Sequence, residues 1–238
     1  MTTVFTIYRR ELLAYFDGPL AYIAVPVFLG LIGLFCLFFQ DIFTSGIADM
    51  RRVFFWIALF YVLLIPALTM KSFSEEYRTG SLEMLMTLPI SEAQMVTGKY
   101  CSAVSFVLLT LLLSLTYPLS LAQVGDLDWG PVLGGYLALG LLGAAFCAIG
   151  IAMSTCTQNQ VVSFLLSFAI GLLPFATGYA LNVVPTEMLP IVQYITFEYH
   201  FSTLAKGVID SRSLVFYASV IALFLHFAVF QLERRRLS

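Results

Sequence analysis

Residues 53–91 read VFFWIALFYVLLIPALTM and then KSFSEEYRTGSLEMLMTLPIS. The first part is uncharged and long enough to cross a bilayer as a helix, which takes roughly 20 apolar residues. The second part, with the residues up to Lys99, is the one long hydrophilic segment of the chain. Gly80 permits a sharp turn, and Ser81 can N-cap a helix beyond it. Leu82, Leu85 and Met86 then share one face of a helix of about two turns. Pro89 disfavours continuation. Ser91 and Gln94 have the spacing of a capping box, so a new helix starts there and runs into the next span. The expected product is a short helix set across the membrane normal. Its apolar knob is exposed and is rimmed by Glu75, Glu76 and Glu83. Carboxylates suit anionic headgroups poorly, so a soluble protein partner is expected to dock there, helix in groove.

The rest of the chain supports a membrane setting. Of its 238 residues, 60% are hydrophobic and 11% charged, and the mean hydropathy is +0.93. Soluble domains carry about 25% charged residues, so a water-soluble globule is excluded. The 22 Phe and 12 Tyr exclude disorder. At about 30–40 residues per span and loop, the length admits about six spans and no separate soluble catalytic domain. The net charge of −2 implies no bulk attraction to nucleic acid. Cys36, Cys101, Cys147 and Cys156 are scattered, without metal or disulfide spacing, and read as packing residues. No cleavable signal peptide is apparent, because the first long apolar run starts too late and is too long.

The expected architecture is an all-α membrane protein forming a single transmembrane domain over 1–238. Residues 1–18 form an amphipathic interfacial helix, with Phe5, Tyr8, Leu12, Tyr15 and Phe16 at helical spacing and basic residues toward headgroups. Transmembrane helices are expected at 20–39, 53–70, 101–124, 132–153, 161–181 and 214–232, and 71–99 is the hydrophilic segment between the second and third. Arg9, Arg10, Lys71, Arg78, Lys99, Arg234, Arg235 and Arg236 fall on one side, eight basic residues in all. Arg51, Arg52, Lys206 and Arg212, four, fall on the other. The excess places both termini and the 71–99 segment in the cytoplasm. In the fourth span Gly140, Ala144, Ala148 and Ala152 recur every four residues, a smooth stripe suited to helix packing within the subunit or across a dimer.

No Asp, Glu, Lys or Arg lies inside the expected spans. Ion-coupled transporters and proton pumps usually need such a group at membrane depth, which disfavours secondary transport. The one candidate, His226, reads as a packed or hydrogen-bonded histidine. No buried carboxylate pair, metal-spaced His/Cys cluster or Ser/His arrangement supports an intramembrane enzyme. A P-loop needs G-x-x-x-x-G-K-[ST]. Gly98-Lys99 is the only Gly-Lys pair, Tyr100 follows it, and Ala93 stands where the first glycine is needed. Any ATP used must be hydrolysed by another chain.

The run Glu75-Glu76-x-x-x-Gly80-Ser81-Leu82-Glu83-x-Leu85-Met86-x-x-Pro89-Ile90 resembles the signature of type-2 ABC transporter permeases. Phe201-x-x-x-Ala205-Lys206-Gly207-Val208-Ile209-Asp210-x-Arg212, followed by the last span and terminal arginines, is similar to the gliding-motility (GldF-like) permease subfamily. The resemblance covers essentially the whole chain. It implies six transmembrane helices, an N-terminal interfacial helix and a cytoplasmic coupling helix between helices 2 and 3, seated in a cleft of an ABC ATPase. Glu75, Glu76, Gly80, Ser81, Leu82, Glu83, Leu85, Met86 and Pro89 are then the ATPase-coupling positions. Short re-entrant helices before helix 6 would hold Pro185, Pro190, Glu198 and His200, the last two as loop or dimer-gate polar residues.

The resemblance further implies a non-catalytic subunit with no cofactor or metal of its own. ATP and Mg would be used by two copies of the partner ATPase. A second permease subunit would complete the pathway, as a homodimer or with a paralogous or auxiliary GldG-like subunit. The location would be a bacterial inner membrane. Export is the leading function, and uniformly apolar helices fit an amphipathic or lipidic cargo. The alternative is a mechanotransmission complex that drives a periplasmic or cell-surface partner while nothing crosses.

Overall fold

A computed structural model describes residues 2–39, 50–87, 89–123, 125, 127–178 and 193–236. All regular structure among them is helical: α1 Thr2–Asp17, α2 Pro19–Phe39, α3 Arg51–Thr69, α4 Lys71–Thr79, α5 Ser81–Thr87, α6 Glu92–Leu113, α7 Thr116–Leu121, α8 Trp129–Cys156, α9 Gln160–Thr177, α10 Phe197–Ala205 and α11 Ser211–Arg236. Among the described residues, five helical runs are long and apolar enough to span a bilayer, and α1 with α2, bent by 72°, makes up to six. With α2 along the membrane normal, that bend leaves α1 close to the membrane plane. α8 and α11 overrun their expected spans at both ends, whereas α6 starts early, at Glu92, and ends at Leu113, with α7 following, and α9 ends at Thr177.

The largest departure from the sequence-based expectation is at the start of the hydrophilic segment. Residues 71–79 are not a loop. Met70 keeps helical backbone angles and donates its N–H to the Pro66 carbonyl at 2.9 Å. The second span therefore runs on as α4, within a helical run of 29 residues, Arg51–Thr79. Nine residues add about 14 Å to the rod. Glu75 and Glu76 ride on this extension. Gly80 ends it with a left-handed backbone (φ 72°) and gives its N–H to the Tyr77 carbonyl. A Cβ at Gly80 would meet nothing within 4 Å, so glycine is needed there for conformation and not for space.

α8 is the axis of the bundle and packs against α3, α6, α9, α10 and α11. Toward α3 and α6, its closest approaches come from Gly135, Gly143 and Gly150. A Cβ at Gly135 would strike the Phe54 ring, one at Gly150 would strike Thr69, and one at Gly143 would lie 2.8 Å from Val107. This face, directed at α3 and α6, differs from the stripe read in the sequence. Ala148 and Ala152 are fully buried, whereas a Cβ at Gly140 would make only ordinary contact, 3.7 Å from Leu108. A four-residue repeat marks small residues but cannot say which glycines meet a backbone or ring.

α2 is pinned to α3 on one side only. Ile32 is buried, Phe28 stacks on Tyr61 with centroids 5.6 Å apart, and Phe35 packs edge-on to Phe60. Tyr22, Ile23, Val27 and Leu34 face outward. Several buried hydroxyls inside the spans donate to their own helices: Thr110 to the Val107 carbonyl at 2.7 Å, Ser154 to Ile151 at 2.7 Å and Ser167 to Ser163 at 2.8 Å. His226, expected to be packed or hydrogen-bonded, lies on the exposed flank of α11.

Candidate functional site

The capping box places the start of α6. Ser91 Oγ accepts the Gln94 N–H at 3.3 Å, and Gln94 Oε1 accepts the Ser91 N–H at 3.3 Å. Two turns further on, Lys99 points inward with 4% of its side chain exposed. Its ammonium donates to Glu76 Oε1 at 2.8 Å, to Glu11 Oε1 at 3.2 Å and to the Ser72 carbonyl at 2.6 Å. It also lies 4.9 Å from the Phe73 ring centroid. All three N–H donors are engaged. Arg10 joins from α1, 2.7 Å from Glu11 and 3.5 Å from Glu76. One lysine thus ties α1, α4 and α6 together. Burial by itself would raise the Glu11 carboxyl, but Lys99 and Arg10 outweigh it and hold that group below the ordinary carboxylate range.

Space for this junction comes from Gly98. A Cβ there would come within 2.8 Å of Ile7, so glycine lets α1 lie directly across α6. Tyr15 and Phe16 of α1 close over Phe106, with centroids 5.2 and 5.9 Å away. Phe5 and Leu13 stay exposed. Of the interfacial stripe read in the sequence, Leu12, Tyr15 and Phe16 therefore pack inward and Phe5 stays exposed.

The C-terminal arginines close the same end. Arg235 donates to the Cys156 carbonyl at 3.0 Å and its guanidinium lies 4.3 Å over the Tyr77 ring. Arg236 donates to Glu92 Oε1 at 2.7 Å. The ends of α4, α6, α8 and α11 are thereby clipped together. In the sequence these arginines count only as topology markers. The available signal was their place in the last turn of a helix, where cations complement orphaned carbonyls. Lys99 carries its own signal, a lysine at the edge of an apolar run beside a glycine.

The coupling positions divide. Glu76 is held inward by Lys99, and Glu75 and Glu76 both line a groove shared with α1 and α2. Leu82 is only 2% exposed, so it anchors α5 to the protein and is not part of an exposed knob. Leu85 is half-buried and packs against the core. Ser81 turns its hydroxyl back, 3.0 Å from Thr79 Oγ1 and 3.4 Å from the Glu76 carbonyl, and so seals the end of α4. Met86 has its backbone in α5, and its side chain lies outside the described residues. Among the described residues of this segment, Gly80, Glu83, Thr87 and Pro89 are exposed. Arg78 at the end of α4 and the α8–α9 turn, Gln158 to Gln160, line a shallow cleft.

Pro185 and Pro190 lie outside the described residues. His200 is buried and doubly bonded, with Nδ1 3.1 Å from Ser213 Oγ and Nε2 3.1 Å from the Tyr194 carbonyl. The carbonyl can only accept, so Nε2 carries the proton and Nδ1 accepts from Ser213. The ring stacks on Phe216 at 4.2 Å. Burial pushes the imidazole below its ordinary value, against the Tyr194 carbonyl and Asp210. Glu198 is half-buried; burial raises its carboxyl and Lys206 opposes this. Among the described residues, no three His, Cys, Asp or Glu side chains converge as metal ligands would.

A helical bundle with several bilayer-length spans defines a multi-pass membrane protein. A family model described as an ABC-2 family transporter protein matches residues 25–232, and the chain belongs to that family. α1, with Arg10 and Glu11, lies before the matched segment. No curated protein matches the chain.

Proposed function

We propose that this permease couples ATP hydrolysis, carried out with Mg by two copies of a separate ABC ATPase subunit, to export through a path completed by a second permease. That second subunit is another copy of this chain or a paralogous, GldG-like partner, as in the gliding-motility subfamily. The membrane is a bacterial inner membrane, with both termini and α4–α5 in the cytoplasm. The observation that carries the reading is the Lys99 junction. A push on α5 reaches α4 through the Gly80 turn. From α4 it passes along the continuous rod into α3, and through Glu76 and Lys99 into α6 and α1. A solvated loop with no load would need neither a rigid extension nor a buried lysine joining three helices.

The open face at Glu83, Thr87 and Pro89 is the docking surface for the ATPase. Glu83→Lys should lower co-purification of the ATPase and permease-dependent hydrolysis by at least about tenfold, given about 1.5–3 kcal/mol for a charged contact. The permease's own thermal stability should stay unchanged, because Glu83 is exposed. Full co-purification and hydrolysis in this variant would contradict the docking assignment.

A further inference from the structure

His200 is a buried titratable group with no part in the Lys99 junction, and it holds three pieces of chain together. It lies on α10. Its Nε2 donates to the Tyr194 carbonyl ahead of that helix, and its Nδ1 accepts from Ser213 in the first turn of α11. Its ring stacks on Phe216, one turn further along α11. Only 2% of the residue is exposed, yet it lines a shallow cavity of about 370 Å³ with Tyr194, Ser211, Arg212, Val215 and Phe216, so a proton can reach it. α10 has nine residues, and its N-cap, Thr196, makes no side-chain cap bond. A helix that short is marginal on its own, so its tertiary contacts decide whether it stays in place. Gly207, just behind it, turns the chain into α11 with a left-handed backbone.

The bonding pattern is that of a neutral ring. The Tyr194 carbonyl keeps a proton on Nε2, which leaves Nδ1 as the acceptor. A second proton, on Nδ1, turns the Ser213 hydroxyl from donor to acceptor and places a cation in a buried site. The charged and titratable groups around it are Tyr194, Glu198 and Tyr199 on its own side, Lys206 and Asp210 in the connection, and Arg212 and Tyr217 on α11. α8 and α9 carry no Asp, Glu, Lys, Arg or His. Asp210 and the Phe216 face favour an imidazolium. Burial opposes it and prevails, because the group lies below its ordinary value. Withdrawal of α10 from the start of α11 would let the charged ring meet water and remove that penalty.

We propose that the His200–Ser213 contact is an acid-released latch: protonation of His200 frees α10 from the first turns of α11 while the rest of the bundle stays folded. The latch belongs to this chain alone and holds whether or not an ATPase drives the Lys99 end. The test is hydrogen–deuterium exchange of the full chain in detergent at about pH 7.5 and about pH 5.5, each rate divided by the intrinsic rate at that pH. The released ring takes its proton at the ordinary histidine value of about 6.5, so opening rises by at most about tenfold over this interval. Protection of residues 197–205 should fall by about three- to tenfold on acidification, and protection of α6 should not change. The chain has two histidines. His226→Gln should leave the response intact, and His200→Gln should remove it, since a glutamine amide can donate to Tyr194 and accept from Ser213. Ser213→Ala, which takes away the Nδ1 partner, should loosen α10 already at about pH 7.5 and flatten the response. Glu198 on the same helix titrates with the opposite sign: burial raises its carboxyl, so its protonation would add protection in acid. Constant or rising protection of α10 on acidification would overturn the latch. So would a fall shared equally by α6, or one that survives in His200→Gln or in Ser213→Ala.

Discussion

The two ends of the bundle are held by different forces. At the Lys99 end, elements far apart in sequence meet through charge: α1, α4 and α6 at Lys99, then α6 with α11 at Glu92 and Arg236. At the opposite end they meet at the backbone. A Cβ at Gly134 would strike the Leu204 carbonyl, and Gly207, with φ 84°, has a Cβ position 3.1 Å from the Gly130–Pro131 backbone. His200 and Ser213 add a neutral bond there. Ion pairs can break and re-form as helices tilt, whereas backbone contacts at van der Waals distance permit few alternatives. Under the proposed function, this contrast would put movement at the first end and closure at the second.

Substitutions put this contrast at risk. The largest effect is expected from Lys99→Met, which leaves the Glu11 and Glu76 carboxylates facing each other without their buried cation. The cost is about 3 kcal/mol, the low end of the buried-pair range because both carboxylates keep some solvent contact. It should appear as a lower melting temperature and be partly restored by Glu76→Gln. A Lys99→Met protein as stable as wild type would show that the junction bears no load. Gly134→Val should cost about 2 kcal/mol through overpacking against α10. Unlike Lys99→Met, it should not be rescued by any nearby charge change; tolerance of valine would show that the far end is loosely packed.

Titration separates the ends without mutation. His200 is held neutral in the fold, so the unfolded chain binds its proton more readily. Stability should therefore fall as pH drops below about 6.5, and His200→Gln should abolish that loss. Glu11 behaves as a depressed carboxylate. Its contribution is present above its unfolded value of about 4.3 and is lost as pH falls through the lower folded value, a loss that Glu11→Gln should remove. A single melting-temperature transition insensitive to both variants would mean that the ends do not titrate as described. The smallest change belongs to Arg236→Gln. Its guanidinium side chain is 52% exposed, and solvent screening limits the cost to about 0.5 kcal/mol. A loss comparable to that of Lys99→Met would place the main clamp at α11 instead.

Much of the fold was legible because lipid imposes a simple code. Uncharged runs near 20 residues must be helices, and the loops between them are short. The capping box at Ser91 and the turn at Gly80 were readable for the same reason, since each depends on local chemistry alone. The site was less legible. Glu75 and Glu76 looked like rim carboxylates, yet their setting depends on α4 continuing α3 and on α1 lying over Gly98. Leu82 sits on the same helical face as Leu85 by spacing, but spacing gives the face and not its direction. Lys99 reads as a topology marker until Glu11, far away in sequence, is brought beside it.

If the end built on charge is the end an ATPase drives, the ATPase must touch α5 and leave the far end alone. Photocross-linking decides this, with a photoreactive amino acid placed singly at Glu83 on α5 and at Val208 beyond α10, both exposed, in cells expressing the whole complex. Position 83 should yield an adduct containing a G-x-x-x-x-G-K-[ST] peptide, and position 208 none. An ATPase adduct from position 208, or from neither position while the complex still hydrolyses ATP, would refute the assignment of the driven end.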